Sequence, residues 1–118
     1  MIRQAAGVPS YSDSDEADQR NWEMLKMGVM ITKASDSLKL ISRAEVKVDG
    51  LTGIKRLYEY PLVDPNTYKI TATQYNYQVM ILKDGDLYNF RLYTTNTDTF
   101  KKYTQDADGL ISSILFQK

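Results

Sequence analysis

Residues 75–93 constrain the fold more than any other stretch of the chain. Tyr75, Tyr77, Val79 and Ile81 alternate with Asn76, Gln78, Met80 and Leu82; beyond Asp84-Gly85, Tyr88, Phe90 and Leu92 alternate with Asn89, Arg91 and Tyr93. A period of two sends successive side chains to opposite faces of a strand. Asp-Gly between two such runs is a strong hairpin signal, because both turn residues tolerate positive φ. The chain must therefore contain a sheet. The face carrying Tyr75, Tyr77, Val79, Ile81, Tyr88, Phe90 and Leu92 is apolar and requires a covering helix. The opposite face is mixed, with Asn76, Gln78, Asn89 and Arg91 beside Met80, Leu82 and Tyr93, and is expected to be open to solvent or covered by a partner.

The flanking sequence supplies the remaining elements. Leu40-Ile41, and Val46 and Val48 alternating with Glu45 and Lys47, predict one or two short strands closed by Asp49-Gly50. Ile54 to Tyr60 reads as a further strand stopped by Pro61, Val63-Asp64-Pro65-Asn66 as a turn, residues 68–83 as one long strand, and 86–95 as its return. Trp22, Leu25 and Val29 follow helical spacing behind the acidic run Asp13-Ser14-Asp15-Glu16-Ala17-Asp18, whose carboxylates suit a helix N-terminus; Ser12, Asp13 or Ser14 is the expected cap of a helix over 14–33, with Gly28 its weak point. Phe100, Tyr103, Ala107, Leu110, Ile111, Ile114 and Leu115 predict a second helix over 98–116, capped by Thr97 or Asp98. Residues 1–13 read as a flexible lead-in and 14–118 as a single α+β domain, a mainly antiparallel sheet of about four strands between two helices.

Composition narrows function by exclusion. At 118 residues the chain is one domain in size. Its 15 basic and 15 acidic side chains cancel, which removes the field that non-specific nucleic-acid binding needs. With neither cysteine nor histidine there is no thiol chemistry, no serine–histidine triad and no Cys/His metal site. No apolar run reaches the roughly 20 residues of a membrane helix. Nor do residues 1–10 hold a signal-peptide core, so the expectation is a cytosolic protein or one whose export segment lies outside this sequence.

Catalytic and ligand-binding motifs are sparse. Asp13 to Asp18 superficially resembles a calcium loop, but Asp18 stands where the glycine belongs and Met24 where the bidentate acid belongs, so helix capping is the better reading. Asp84 and Asp86 are explained by turn chemistry. Gly50 and Gly53 are not followed by the Lys-Ser/Thr of a phosphate loop. Glu45, Glu59, Lys55 and Arg91 are the candidates for acid–base work, Glu59 because its tyrosine neighbours could bury it. No nucleophile accompanies a base, so no enzymatic activity, cofactor or metal is expected. Seven of the nine tyrosines (58, 60, 68, 75, 77, 88 and 93) fall in the strand region, a number that strand preference accounts for and that a docking surface would also use. The expected partner-binding residues are Tyr75, Asn76, Gln78, Asn89, Arg91 and Tyr93. The alternative is a small-ligand or metal-ion carrier with a helix–sheet pocket lined by Trp22, Tyr58, Tyr60 and Tyr77.

Val48-Asp49-Gly50, Leu57-Tyr58-Glu59-Tyr60, the run Gln78 to Tyr88, Phe100 and Leu110 to Phe116 resemble the C-terminal part of PsbP-like domains over roughly residues 20–118. That superfamily includes the photosystem II extrinsic protein PsbP, small bacterial envelope proteins and lipoproteins, and a Ran-binding nuclear import factor. The resemblance implies an α/β/α sandwich, a binding or assembly role without catalysis, and a setting in the bacterial envelope or the thylakoid lumen. The strands that open such domains have no counterpart in residues 1–13, so an exposed sheet edge, and with it a possible homodimer, is expected.

Overall fold

The computed structural model describes residues 2–3, 11–31 and 34–114. Strand β1 (Ile2–Arg3) is followed by helix α1 (Ser14–Ile31), a 3-10 turn at Ser35–Ser37, strands β2 (Lys39–Val48), β3 (Leu51–Val63), β4 (Ile70–Lys83) and β5 (Asp86–Thr94), and helix α2 (Thr97–Ser112). The strands form one antiparallel sheet in the order β1-β5-β4-β3-β2. Four long strands in a meander, with helices before and after, give the α+β fold that the residue pattern predicts.

Both Asp-Gly pairs do what their sequence dictates. Asp49 and Gly50 have φ of 50° and 77°, and Asp84 and Gly85 have φ of 51° and 81°. Two successive residues at positive φ match the right-handed twist of the strands they join. The Val63–Asn66 turn is held by Asp64, whose carboxylate accepts from the Asn66 amide at 2.8 Å, while Tyr68 takes a left-handed φ of 57°. That conformation excludes Tyr68 from β4, which begins at Ile70 instead.

Three elements depart from the sequence reading. β2, expected as one or two short strands, is a single ten-residue strand with a bulge between Leu40 and Ser42. β3 runs through Pro61 to Val63, because β2 ends its pairing at Lys39 opposite Glu59. Beyond that point β3 has a neighbour on one side only, and a residue without an N–H is tolerated there. The lead-in expected over 1–13 is ordered at Ile2–Arg3, which pair with Leu87 and Asp86; the other lead-in residues before Tyr11 lie outside the described residues. Residues 32–33 of the expected first helix and 115–116 of the second also lie outside them.

Helix starts follow local chemistry. The Asp13 carboxylate accepts from the Glu16 amide at 2.8 Å, and Asn96, not Thr97 or Asp98, caps α2 by accepting from the Thr99 amide at 2.9 Å. Asn96 has the extended backbone a cap needs, whereas Thr97 already lies inside the helix. Buried Ser14 donates to the Thr52 carbonyl at 2.7 Å and accepts from the Leu82 amide at 2.9 Å, tying the start of α1 to β3 and β4.

The two helices cover opposite faces, completing three layers. α2 packs over Val48, Tyr77, Val79 and Ile81 with its own Phe100, Ala107 and Ile111, an apolar core of the predicted kind. α1 packs on β3 and β4 from the other side, over Ile54, Arg56, Tyr58, Asn76, Gln78 and Met80. The mixed face is therefore neither washed by solvent nor left for a partner over β3 and β4. The chain's own first helix covers it.

Candidate functional site

The face beneath α1 is organised by a polar row that crosses four strands. Register places Arg43 of β2 beside Arg56 of β3, Arg56 beside Gln78 of β4, and Gln78 beside Arg91 of β5. Three guanidinium groups on one surface repel one another unless acids separate them. α1 supplies those acids. Asp18, fully buried, accepts from Arg56 Nη2 at 2.7 Å and from Arg43 Nε at 2.9 Å, and Asp15 bonds Arg43 Nη2 as well. The Asp15 and Asp18 carboxylates hold the Arg43 pKa above its ordinary value, against an opposing cost of burial.

Aromatic packing closes the row around Arg56. Its guanidinium lies over the Trp22 ring at 4.5 Å, and Trp22 meets Tyr58 edge-on with centroids 5.5 Å apart. Burial raises the Tyr58 phenol above its usual pKa. Tyr58 and Asn21 each donate to Gln78 Oε1 at 3.4 Å. Gln78 Nε2 is buried with no partner among the described residues.

Arg91 ends the row differently. It donates to Asn76 Oδ1 at 3.0 Å and Gln74 Oε1 at 2.8 Å, and stacks over Tyr93 at 4.8 Å. Amides position a guanidinium without neutralising it. Arg91 therefore presents its charge to solvent on a strip with Asn89 and Tyr93, beyond the cover of α1.

The six residues expected to bind a partner are thus divided. Asn89, Arg91 and Tyr93 share the open strip. Asn76 and Gln78 are buried under α1 and cannot reach a partner. Tyr75 is on the opposite face, packed against Phe100 with ring centroids 5.6 Å apart. The expected carrier pocket is divided in the same way: Tyr58 and Tyr60 are on the α1 face, where Trp22 of α1 packs on Tyr58, and Tyr77 is beneath α2, where its hydroxyl donates to Asp108 at 2.7 Å. The acid–base candidates are scattered as well. Glu59 faces Lys39 across the ladder, Lys55 pairs with Asp108 at 3.1 Å on the α2 face, and Glu45 and Arg91 lie on the α1 face on the two outer long strands.

A cleft of about 570 Å³ opens beside the start of α1, lined by Tyr11, Asp13, Asp15, Glu45, Ile54 and Asp84 among others. Three of its four acids serve structure: Asp13 caps the helix, Asp15 holds Arg43, and Asp84 forms the β4–β5 turn. Among the described residues no group of three or more carboxylates is placed to hold a metal ion.

The surface that the sequence reading missed is on the outside of α1. Met24, Met27, Met30 and Ile31 are 65–79% exposed. At 100° per residue, Met24, Met27 and Ile31 lie on the side of the helix opposite Trp22, Leu25 and Val29. Two apolar stripes on one helix were visible in the sequence, and only one of them can face a sheet.

Among the described residues no helix is long and apolar enough to cross a membrane. Compared with protein-family models, characterised proteins and solved structures, the chain matches none.

Proposed function

We propose that this protein is a non-enzymatic binding or assembly module that works through protein–protein contacts. The carrying observation is the exposed Met24–Met27–Met30–Ile31 surface on a helix whose other side is already packed. Large apolar side chains clustered on a surface mark interaction sites, and methionine adapts its shape to a partner's side chains. The strip of Asn89, Arg91 and Tyr93 adds a stacked arginine and a tyrosine, residue types enriched at interface hot spots. The scattering of the acid–base candidates over both faces favours binding over catalysis, and the resemblance to PsbP-like domains points the same way.

The test is comparative affinity capture from the native host with three baits: wild type, Met27→Glu/Met30→Glu and Arg91→Ala. A partner retained by wild type and lost by the methionine variant, with an unchanged melting temperature, supports the reading. Identical capture profiles for all three would remove it.

A further inference from the structure

We infer that β2 is a self-association edge, on which two copies of the chain join their sheets antiparallel about a two-fold axis at Val46. This goes beyond the α1 reading and uses a different surface. β2 is the end strand of the sheet and is exposed from Lys39 to Glu45. An unpaired strand of this length presents backbone donors and acceptors that another strand can satisfy.

The charges along the edge decide both the occupant and the register. Arg43, Glu45 and Lys47 alternate on one face, between side chains that point the other way. In an antiparallel pair formed by two copies, residues equidistant from the dyad stand opposite each other. A dyad at Glu45 sets Glu45 against itself and Arg43 against Lys47. A dyad at Arg43 sets that arginine against itself. Like charges directly opposite are destabilising. A dyad at Ala44 sets Glu45 against Arg43, which already holds two aspartates, and carries the pairing into the Leu40–Ser42 bulge.

A dyad at Val46 avoids all of these conflicts. It sets Glu45 of each copy against Lys47 of the other, twice over. It uses the regular part of the strand, from Ala44 to Val48, where the ladder with β3 is unbroken. The Glu45 carboxylate makes no ion pair or hydrogen bond with the described residues, and the Lys47 ammonium bonds only a neutral hydroxyl, that of Thr52. Each copy thus offers an acid and a base in the order its twin requires. The half-buried Val46 side chains meet at the axis, a β-branched cross-strand pair.

The experiment reads molar mass by light scattering on the full chain, together with engineered cysteines, which the native sequence lacks. Wild type should run as a dimer at high micromolar concentration. Glu45→Lys should be monomeric, and Glu45→Lys/Lys47→Glu should restore the dimer. Val46→Cys should form a disulfide-linked dimer under mild oxidation and Ala44→Cys should not, because residues directly opposite have Cα atoms about 4.5–5.5 Å apart, within disulfide reach. A monomeric wild type, a Glu45→Lys dimer, failure of the double swap, or crosslinking of the Ala44→Cys variant in place of the Val46→Cys variant would each overturn the inference. None of these outcomes bears on capture through the methionine surface.

Discussion

The two faces of this sheet are covered by helices of similar length, yet they are held by different physics. Under α2 the contact is Phe100, Ala107 and Ile111 on Val48, Tyr77, Val79 and Ile81, apolar against apolar. Under α1 it is Asp18 on Arg56 and Arg43, ringed by Trp22, Tyr58, Asn76 and Gln78. Apolar packing is non-directional and degrades gradually as atoms are removed. A buried ion pair is directional, and removing one partner leaves an uncompensated charge. The α1 face should therefore be the more brittle, and substitutions on the two faces test that directly.

Asp18→Ala carries the largest expected effect, a loss of about 3–5 kcal/mol, since it strands Arg56 in the interior. Denaturant unfolding measures it, and hydrogen exchange should show α1 loosening before α2. Asp18→Leu/Arg56→Met should recover most of the loss, because replacing both charges with apolar groups is close to neutral. A cost for Asp18→Ala within experimental error of zero would remove the contrast between the faces.

Phe100→Ala tests the other face, with an expected loss of about 3 kcal/mol from lost burial and the cavity left against Tyr75. Here hydrogen exchange should rise first in α2. Gly53→Ala comes next, at about 1–3 kcal/mol. A Cβ there would lie 2.9 Å from Ile81 Cγ1 and 3.3 Å from the Met80 carbonyl oxygen and Val79 Cγ1, so the Ile81 side chain must move and its neighbours on β4 must give slightly. Glycine at this mid-strand position is explained by close approach, and its φ is not in the left-handed range.

The same contrast explains which parts of the molecule could be read from the sequence. The α2 face, both Asp-Gly hairpins and the strand alternation were legible because period two, period 3.6 and turn chemistry are local signals. The α1 face was not. Asn76 and Gln78 look like surface residues until the fold lays α1 over them, with Asn21 donating to Gln78 and Asp18 bonding Arg56 beside it. For the same reason the acids before Trp22 read as helix-capping groups, when one of them, Asp18, is the buried counter-ion of the sheet. The outer methionines could have been separated from the inner stripe by helical angle, but nothing local says which stripe turns inward. The bulge that shifts β2 at Leu40 has no sequence signature of its own.

The smallest effect concerns pH and again divides the faces. Tyr77 on the α2 face has its pKa raised, first by burial and then by the Asp108 carboxylate its hydroxyl bonds; on the α1 face, burial alone is the leading cause for Tyr58. A phenol whose folded pKa exceeds its unfolded value near 10.0 releases its proton first in the unfolded chain. Its contribution is therefore complete below pH 10 and is lost as pH climbs toward the folded value. Each such group should remove about 1.4 kcal/mol of stability per pH unit in that window. Tyr77→Phe should make the decline of stability above pH 10 shallower by one proton's worth, at some cost in stability at neutral pH from the lost Asp108 hydrogen bond. Urea midpoints for wild type and variant across pH 9–11.5 check it. Parallel curves would mean that the Tyr77 phenol ionises as readily in the fold as outside it, and that the α2 core admits water at this position.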